Sequence, residues 1–363
     1  MRRQRRRILL TIGCFVGAIL LLMTLDYLGE GDLGEDEGGD TLSSMRFLSL
    51  FFSRRDHPGV SKDNDITCYF FQRWRPEEPL SQPELDTRQC QKRMPHGLVI
   101  GVKKGGTTAM ARYLGLHPKV SFSRSVQPGP DITDATMVEW KETFRLTSAY
   151  QMPVTGYPGL FSGMQPQLLQ MLRKHLPADI KLILMLRDPV ERLVSDFVHT
   201  ATIADRYQGE ERKKFEELEG FKGTLHATVL DDLGHVNPFA SIVRLGMYAM
   251  DLRALYQQIP EERVLIVDGN EFKKDPFPIL IKVERFLELP PFFKRDHFQY
   301  NTNKHFYCAN IESRPDVKCL NSQKGRKHPK ISDAVIEKLY DFYRPRNQEL
   351  KSDFGLNFSW IDL

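Results

Sequence analysis

Apolar residues form short continuous runs along the chain, and each run is followed by apolar positions at the spacing of a helix. The runs GLVIGV (97–102), IKLILMLRDP (180–189) and RVLIVDGNEF (263–272) predict buried strands. Helical spacing follows them in TTAMARYLGLH, VERLVSDFVHTA and PFPILIKVERFLEL. This alternation predicts an α/β fold with a mainly parallel central sheet flanked by helices on both faces.

A longer apolar run near the N-terminus has a different character. Residues 1–7 (MRRQRRR) contain five arginines, and the eighteen residues 8–25 carry no charge. As a helix that run spans about 27 Å, close to the hydrocarbon thickness of a bilayer. A signal peptide has a shorter apolar core and a small-residue cleavage pattern, so we expect a retained transmembrane anchor at 8–25. The positive-inside rule makes 1–7 a cytoplasmic tail and gives a type II topology.

Residues 26–65 are predicted to form a luminal stalk. Its first part, 26–40, has seven acids, no bases and five glycines, a composition that cannot bury enough apolar surface to fold. The net charge of the chain is +4; without the five N-terminal arginines and the seven stalk acids it becomes +6 for residues 41–363. This modest excess suits an anionic partner. Residues 66–363 are long enough for one α/β domain.

The cysteines agree with a luminal location. Cys14 lies in the predicted anchor, and the other four would face an oxidising compartment, where pairing is favoured. Cys308 and Cys319 close a short loop, and we predict that they form a disulfide. Cys68 and Cys90 then remain, either as a second disulfide or as two free buried thiols.

The motif GVKKGGTTA (101–109) joins the first predicted strand to its helix. A strand, a glycine loop and a helix N-terminus together offer backbone N–H groups and the positive end of a helix dipole to an anion. We expect the helix to start at a threonine cap. The spacing differs from the G-x-x-x-x-G-K-[ST] loop that binds nucleoside triphosphates, so a phosphate-transferring kinase fits poorly.

The second predicted strand ends at Arg187 and Asp188, and the helix after it carries Ser195. Ligands bind at the carboxyl ends of parallel strands, so Arg187 and Ser195 could reach one anionic group in the crevice that also holds the glycine loop. The alternative interpretation is a local ion pair between Arg187 and Asp188.

A basic run near the C-terminus places four cations in seven residues, Lys324, Arg326, Lys327 and Lys330. Such a run is either a solvated face or a binding element. The second interpretation gains support because the predicted disulfide loop precedes the run and would hold it rigidly.

The segments GVKKGGTTA, LMLRDPVERLVSDF, LIVDGNEFKKDPFPILIKVERFLEL, FYC…CL and KGRKHP together resemble the Golgi heparan sulfate glucosamine 3-O-sulfotransferases. The resemblance extends from about residue 95 to the C-terminal FGLNFSW. It implies a P-loop-like sulfotransferase fold, anchored in the Golgi membrane with its catalytic domain in the lumen. The implied donor is 3′-phosphoadenosine 5′-phosphosulfate, and the implied acceptor is the 3-hydroxyl of a glucosamine in heparan sulfate. Cationic side chains can replace Mg²⁺ in such a transfer, so we expect no metal, and we expect no nucleic-acid partner.

The resemblance also implies roles for individual residues. Lys104 would be catalytic, because a fixed cation stabilises charge on the oxygen that bridges phosphate and sulfate. The implied donor-binding residues are Lys104, Gly105, Gly106, Thr107 and Thr108 in the loop, Arg187 and Ser195 at the 3′-phosphate, and Tyr307, Lys324, Gly325, Arg326, Lys327 and His328 where the site closes.

The chain departs from the family on the acceptor side. The family's general base, a glutamate, and a histidine after it align near Val126 and Pro128. The family's arginine after KGGT is Thr108, and its VEKTPAYF is VTGYPGLF at 154–161. Loss of a general base is expected to lower the rate by roughly 10²–10⁴.

Three explanations of this departure remain open. The carboxylate of Asp131, Asp134, Glu139 or Glu142 could substitute for the base. The acceptor could differ from standard heparan sulfate. The protein could also bind the nucleotide or heparan sulfate without transferring sulfate. Separately, Asn357 in NFS is a predicted glycosylation acceptor, unless the nearby Phe358 and Trp360 pack it away.

Overall fold

The structure, a computed structural model, describes residues 66–70, 78–123, 132–161, 166–303, 305–311, 319 and 331–363. These residues belong to one compact unit, Ile66–Leu363. None of the helices in this part of the chain is long and apolar enough to span a membrane. The predicted tail (1–7), anchor (8–25) and stalk (26–65) lie outside the described residues.

The strands in the described part of the chain are β1 (Tyr69–Phe70), β2 (Glu78–Pro79), β3 (Gln91–Lys92), β4 (Gly97–Gly101), β5 (Val120–Ser123), β6 (Leu146–Thr147), β7 (Met152–Gly156), β8 (Lys181–Leu186), β9 (Val264–Asp268), β10 (Phe298–Asn301) and β11 (Phe306–Ala309). The α-helices there are α1 (Gln82–Thr87), α2 (Thr107–Leu114), α3 (Asp134–Glu142), α4 (Pro166–His175), α5 (Pro189–Ala204), α6 (Gly209–Glu219), α7 (Leu225–Val229), α8 (Ser241–Arg244), α9 (Tyr248–Tyr256), α10 (Gly269–Lys274), α11 (Pro276–Phe286) and α12 (Asp333–Phe354).

The central sheet has the order β5-β7-β4-β8-β9, and each neighbouring pair is parallel. The predicted mainly parallel sheet is confirmed. The chain places β5 and β7 on one side of β4 and then β8 and β9 on the other, so the direction of winding changes at β4. The carboxyl ends of β4 and β8 therefore border the crevice in which open α/β sheets bind ligands.

Alternate residues of the central strands face opposite layers, as the two-residue period of a strand requires. Leu98 and Ile100 of β4 join one buried cluster with Leu184 of β8. Val99, between Leu98 and Ile100, and Ile183, next to Leu184, join a second buried cluster. Helices α4 and α9 cover the first face, and α2 and α11 cover the second. The apolar runs of β4 and β8 are continuous because both faces are buried.

Two strands of this sheet could not be recognised in the sequence. β5 (VSFS) has four residues, two of them serine, and β7 (MPVTG) contains a proline and a glycine. Val120, Phe122 and Val154 pack in a hydrophobic cluster, and buried polar contacts add to this packing. Thr147 Oγ1 donates to Ser121 Oγ at 3.0 Å, and Thr155 Oγ1 donates to the Ser123 carbonyl at 2.8 Å.

The predicted strands 180–189 and 263–272 are both too long at their C-terminal ends. β8 ends at Leu186, and Asp188 caps α5. β9 ends at Asp268, and GNEFKK forms α10. Asp268 stops the strand because its side chain caps the helix, accepting from the Asn270 N–H at 2.7 Å.

The structure contains both disulfides, Cys68–Cys90 and Cys308–Cys319. Their Cα atoms lie 5.9 Å and 4.8 Å apart. The alternative of two free thiols at Cys68 and Cys90 is not what the structure has.

Candidate active site

The glycine loop lies against the end of β8. The Val102 N–H donates to the Met185 carbonyl at 2.9 Å, and the Gly105 N–H donates to the Val102 carbonyl at 2.8 Å. A Cβ at Gly105 would meet the Met185 carbonyl oxygen at 2.8 Å, a distance that real Cβ atoms essentially never show. Only glycine fits at this position, and the close approach of the backbone shapes the loop.

Helix α2 begins differently from our expectation of a threonine cap. Its N-cap is Gly106, with φ of 108°, and Thr107 is the first helical residue. Glycine takes this left-handed conformation without the steric cost that a Cβ would add. No side chain caps α2, so its first N–H groups keep their capacity to bind an anion.

Lys104 and Arg187 meet at this loop. Lys104 is half-buried with φ of 68°, and its carbonyl accepts from Arg187 Nη1 at 3.3 Å. The other end of the Arg187 guanidinium, Nη2, pairs with Glu191 Oε2 at 2.8 Å. The alternative of a local Arg187–Asp188 ion pair is wrong, because Glu191 on the first turn of α5 takes that role. Ser195 is half-buried one further turn along the face that carries Glu191.

Asp188 instead caps α5. Its Oδ1 accepts from the N–H groups of Val190 at 2.8 Å and Glu191 at 3.1 Å, and its Oδ2 accepts from the Tyr340 hydroxyl at 3.1 Å. Burial raises the pKa of Asp188, although the two N–H donors oppose that shift. The carboxyl therefore orients the helix that carries Ser195.

Replacing Asp188 with alanine should lower the free energy of unfolding by about 1–2 kcal/mol, because a cap is lost. Asparagine should preserve the cap. The pKa of Asp188 is higher in the folded protein than in the unfolded chain, so binding of a proton to this carboxyl stabilises the fold at low pH. This stabilisation of wild type is lost as the pH rises through the folded pKa. The stability of Asp188→Asn relative to wild type should therefore increase from about pH 3 to pH 6. Urea unfolding across this range tests both effects; an alanine variant as stable as wild type would contradict the capping role.

The C-terminal Trp360 supports the ends of β8 and β9. Its indole Nε1 donates to Asp268 Oδ1 at 3.2 Å, and its ring packs edge-on against Tyr248 with centroids 6.2 Å apart. The Tyr248 hydroxyl donates to the Arg187 carbonyl at 2.8 Å. None of Trp360, Tyr248 and Glu191 was predicted to belong to the site. Only Glu191 could have been recognised in the sequence, because it follows Arg187 by four residues, a spacing at which helical side chains can form an ion pair.

Tyr307 lies in the β10–β11 hairpin, which packs on α2. The Tyr113 hydroxyl donates to the Tyr307 carbonyl at 2.8 Å. Burial raises the pKa of Tyr113 to about 12, so this hydroxyl keeps the proton that it donates. Cys308 follows Tyr307 and bonds Cys319. The hairpin thus connects the helix after the glycine loop to the disulfide.

Two of the carboxylates proposed as substitute bases have cationic partners. Asp134 Oδ1 lies 2.8 Å from Lys174 Nζ and 3.1 Å from His175 Nε2, and the Lys174 hydrogen bond lowers its pKa. A lower pKa makes a carboxylate a poorer proton acceptor. Glu142 Oε2 lies 3.3 Å from Lys92 Nζ.

The remaining residues predicted for the site are either exposed or lie outside the described residues. Glu139 is exposed on α3, and Asp131 lies outside the described residues, as do Val126, Pro128 and the five residues Lys324, Gly325, Arg326, Lys327 and His328. Among the residues that are described, no group of three or more His, Cys, Asp or Glu side chains could hold a metal ion. Asn357 is exposed, with Phe358 half-buried and Trp360 buried after it.

A parallel sheet, an uncapped helix after a glycine loop, and an arginine at the neighbouring strand end form the arrangement with which α/β proteins bind anionic groups. Comparison with known proteins specifies the class. The family described as the sulfotransferase domain matches residues 94–353 of this chain. A structural relative, a sulfotransferase from Alicyclobacillus acidocaldarius, is 17% identical with a TM-score of 0.47 and covers 74% of this chain and 99% of its own.

Two relatives are heparan sulfate glucosamine 3-O-sulfotransferases. The mouse 3B1 protein is 30% identical over 310 residues, covering 83% of this chain and 74% of the relative. The mouse 5 protein is 30% identical over 288 residues, covering 77% and 78%. The chain is a sulfotransferase, and it belongs to the heparan sulfate glucosamine 3-O-sulfotransferase family.

Proposed function

We propose that this enzyme transfers a sulfuryl group from 3′-phosphoadenosine 5′-phosphosulfate to the 3-hydroxyl of glucosamine residues in heparan sulfate. The observation that carries the donor assignment is a pair of anion-binding positions on one sheet edge. One is the uncapped N-terminus of α2 with Lys104, and the other is Arg187 with Ser195. A nucleotide with anionic groups at both its 3′ and 5′ positions fits this arrangement. The names of the relatives support the acceptor.

The residues around the loop fit such a donor. Gly105 leaves no room for a Cβ, so the loop backbone packs directly against the end of β8 and leads into the N-terminus of α2, which would receive the donor's 5′ group. The donor supplies an activated sulfuryl group. Lys104 would stabilise negative charge on the phosphate oxygen as its bond to sulfur breaks, while the acceptor oxygen bonds to sulfur and its hydroxyl proton passes to a base or to water. Arg187 and Ser195 hold the 3′-phosphate and so orient the nucleotide. Tyr307 and the segment Lys324–His328 complete the donor site in this proposal.

Arg187 provides the test of the donor assignment. Adenosine 3′,5′-bisphosphate should bind the purified protein much more tightly than adenosine 5′-monophosphate, since only the first carries a 3′-phosphate. Replacing Arg187 with alanine should remove most of this preference, about 10-fold or more, because a charge-assisted pair is lost. Titration calorimetry measures both nucleotides.

Lys351→Ala is the matched control, since Lys351 pairs with Asp362 on the surface and should leave nucleotide binding unchanged. Equal affinities of wild type for the two nucleotides would overturn the donor assignment. Incubation of wild type with sulfur-labelled donor and heparan sulfate then tests the acceptor. Label in another glycosaminoglycan, but not in heparan sulfate, would refute the acceptor.

The N-terminal sequence is the basis of our proposal for the location of the enzyme. We propose a single-pass type II protein of the Golgi membrane, anchored through 8–25 with the catalytic domain in the lumen. The arginine-rich 1–7 and the disulfides Cys68–Cys90 and Cys308–Cys319 support an orientation toward an oxidising compartment. Protease protection of the C-terminus in sealed Golgi vesicles tests this orientation, and digestion without detergent would refute it.

A further inference from the structure

The two adjacent lysines of the glycine loop have different surroundings. Lys103 Nζ lies 3.3 Å from Asp196 Oδ1 and 3.6 Å from Glu219 Oε2. Asp196 belongs to α5 and Glu219 is the last residue of α6. The side chain of Lys103 therefore joins the loop to two helices. The carbonyl of Lys104, in contrast, contacts Arg187 at the donor crevice.

Asp196 is a buried charge behind the loop. Only 3% of its side chain is exposed, and its Oδ2 lies 3.0 Å from Nη1 of the fully buried Arg192. The Arg192 Nη2 donates in turn to the Ile242 carbonyl. Burial would raise the pKa of Asp196, but the charges of Lys103, Arg192 and Lys104 outweigh that effect and hold the pKa below its usual range. The carboxylate is therefore ionised at neutral pH.

This carboxylate has a consequence for anion binding. The charge of Lys104 acts on Asp196, so the carboxylate and the anion-binding loop lie within electrostatic range of each other. A buried charge is poorly screened by salt, and its repulsion of an incoming anion is correspondingly large. Arg192 and Lys103 are the cations in direct contact with this carboxylate. Lys103 is the one of the two that belongs to the loop.

We propose that Lys103 is a positioning residue, which fixes the glycine loop between α5 and α6 and cancels the carboxylate charge that would otherwise repel the donor. In this arrangement the two lysines have different roles. Lys103 pairs with the carboxylates of Asp196 and Glu219, and Lys104 stabilises the leaving group. The inference rests on the proposed function insofar as the ligand is an anionic nucleotide.

The test is a double-mutant cycle read by nucleotide binding. Lys103→Met removes the charge and keeps a long side chain, and it should weaken binding of adenosine 3′,5′-bisphosphate by about 10-fold or more. Lys103→Arg should retain most of the affinity. Adding Asp196→Asn to Lys103→Met should restore much of the lost affinity, because it removes one negative charge from a cluster in which Arg192 would otherwise face two carboxylates alone. A residue that only stabilises the fold would show no such rescue.

Wild type and each variant are measured by calorimetry, by thermal unfolding and by the KM for heparan sulfate. Bisphosphate binding to Lys103→Met at wild-type affinity overturns the inference. So does a raised KM for heparan sulfate with no rescue by Asp196→Asn, because Lys103 would then contact the acceptor. Absence of nucleotide binding by wild type refutes the proposed donor, a result distinct from either.

If Asp196→Asn fails to fold because Arg192 needs its charge, Glu219→Gln takes its place in the cycle. Glu219 is 18% exposed and is the second carboxylate near Lys103, so its loss should be tolerated. Partial restoration of affinity in Lys103→Met/Glu219→Gln supports the inference, and affinity no better than that of Lys103→Met contradicts it.

Discussion

Replacing Lys104 with alanine is expected to lower sulfate transfer by about 10²–10³-fold or more, the usual cost of removing one preorganised group that stabilises transition-state charge. Lys104 adopts φ of 68°. Alanine and lysine share the cost of this conformation, so the substitution should change the free energy of unfolding little. The expected result is therefore an inactive but folded enzyme, measured by initial rates with sulfur-labelled donor and by thermal unfolding.

The control for this prediction is again Lys351→Ala, which removes a surface lysine with a carboxylate partner. It should transfer sulfate at the wild-type rate. A Lys104→Ala enzyme that retains wild-type activity at the same melting temperature would show that the loop lysine does not act on the leaving group.

Replacing Gly269 with alanine should have the second largest effect. A Cβ there would meet the Gly105 carbonyl oxygen at 2.5 Å and the Leu186 carbonyl oxygen at 3.0 Å. Both atoms belong to the backbone, so the glycine loop or the end of β8 must move. A displacement of about 1 Å at a reacting group can cost about 10²-fold in rate. The overpacking should also lower the free energy of unfolding by about 1–3 kcal/mol.

Gly115→Ala is the matched control for Gly269→Ala. Gly115 ends α2 in a right-handed conformation, and its Cβ would have only ordinary contacts at 3.5 Å. Alanine there should leave both activity and stability close to wild type. Donor KM, kcat and melting temperature are measured for both variants. An active, stable Gly269→Ala enzyme would disprove the close packing between α10 and the loop.

The sequence predicted the elements whose signal is local. β4 and β8 are continuous apolar runs because helices cover both faces of the sheet, and each run ends at a turn that the sequence also marks. The glycine loop is recognisable because its lysines, glycines and threonines follow such a strand directly. Arg187 could be assigned to the same crevice because parallel strands end at one edge.

Elements stabilised by long-range contacts could not be predicted in the same way. β5 and β7 carry serine, proline and glycine, and their strand conformation comes from pairing and from buried hydroxyl contacts. The predicted threonine cap was wrong because the loop's close packing requires a left-handed Gly106. The alternative interpretation, an ion pair between Arg187 and Asp188, was also wrong, since the buried Asp188 caps α5 and accepts from Tyr340.

The sequence by itself determined the class of fold, the position of the anion-binding loop and the resemblance to the sulfotransferases. These depend on short-range patterns of apolar residues, glycines and charges. Only the tertiary structure decided which charges meet. Lys103 and Lys104 are adjacent and chemically identical, but Lys103 pairs with Asp196 and Glu219, about 90 and 115 residues away along the chain. Electrostatic energy depends on distance in space and on burial, and neither can be read from the order of residues.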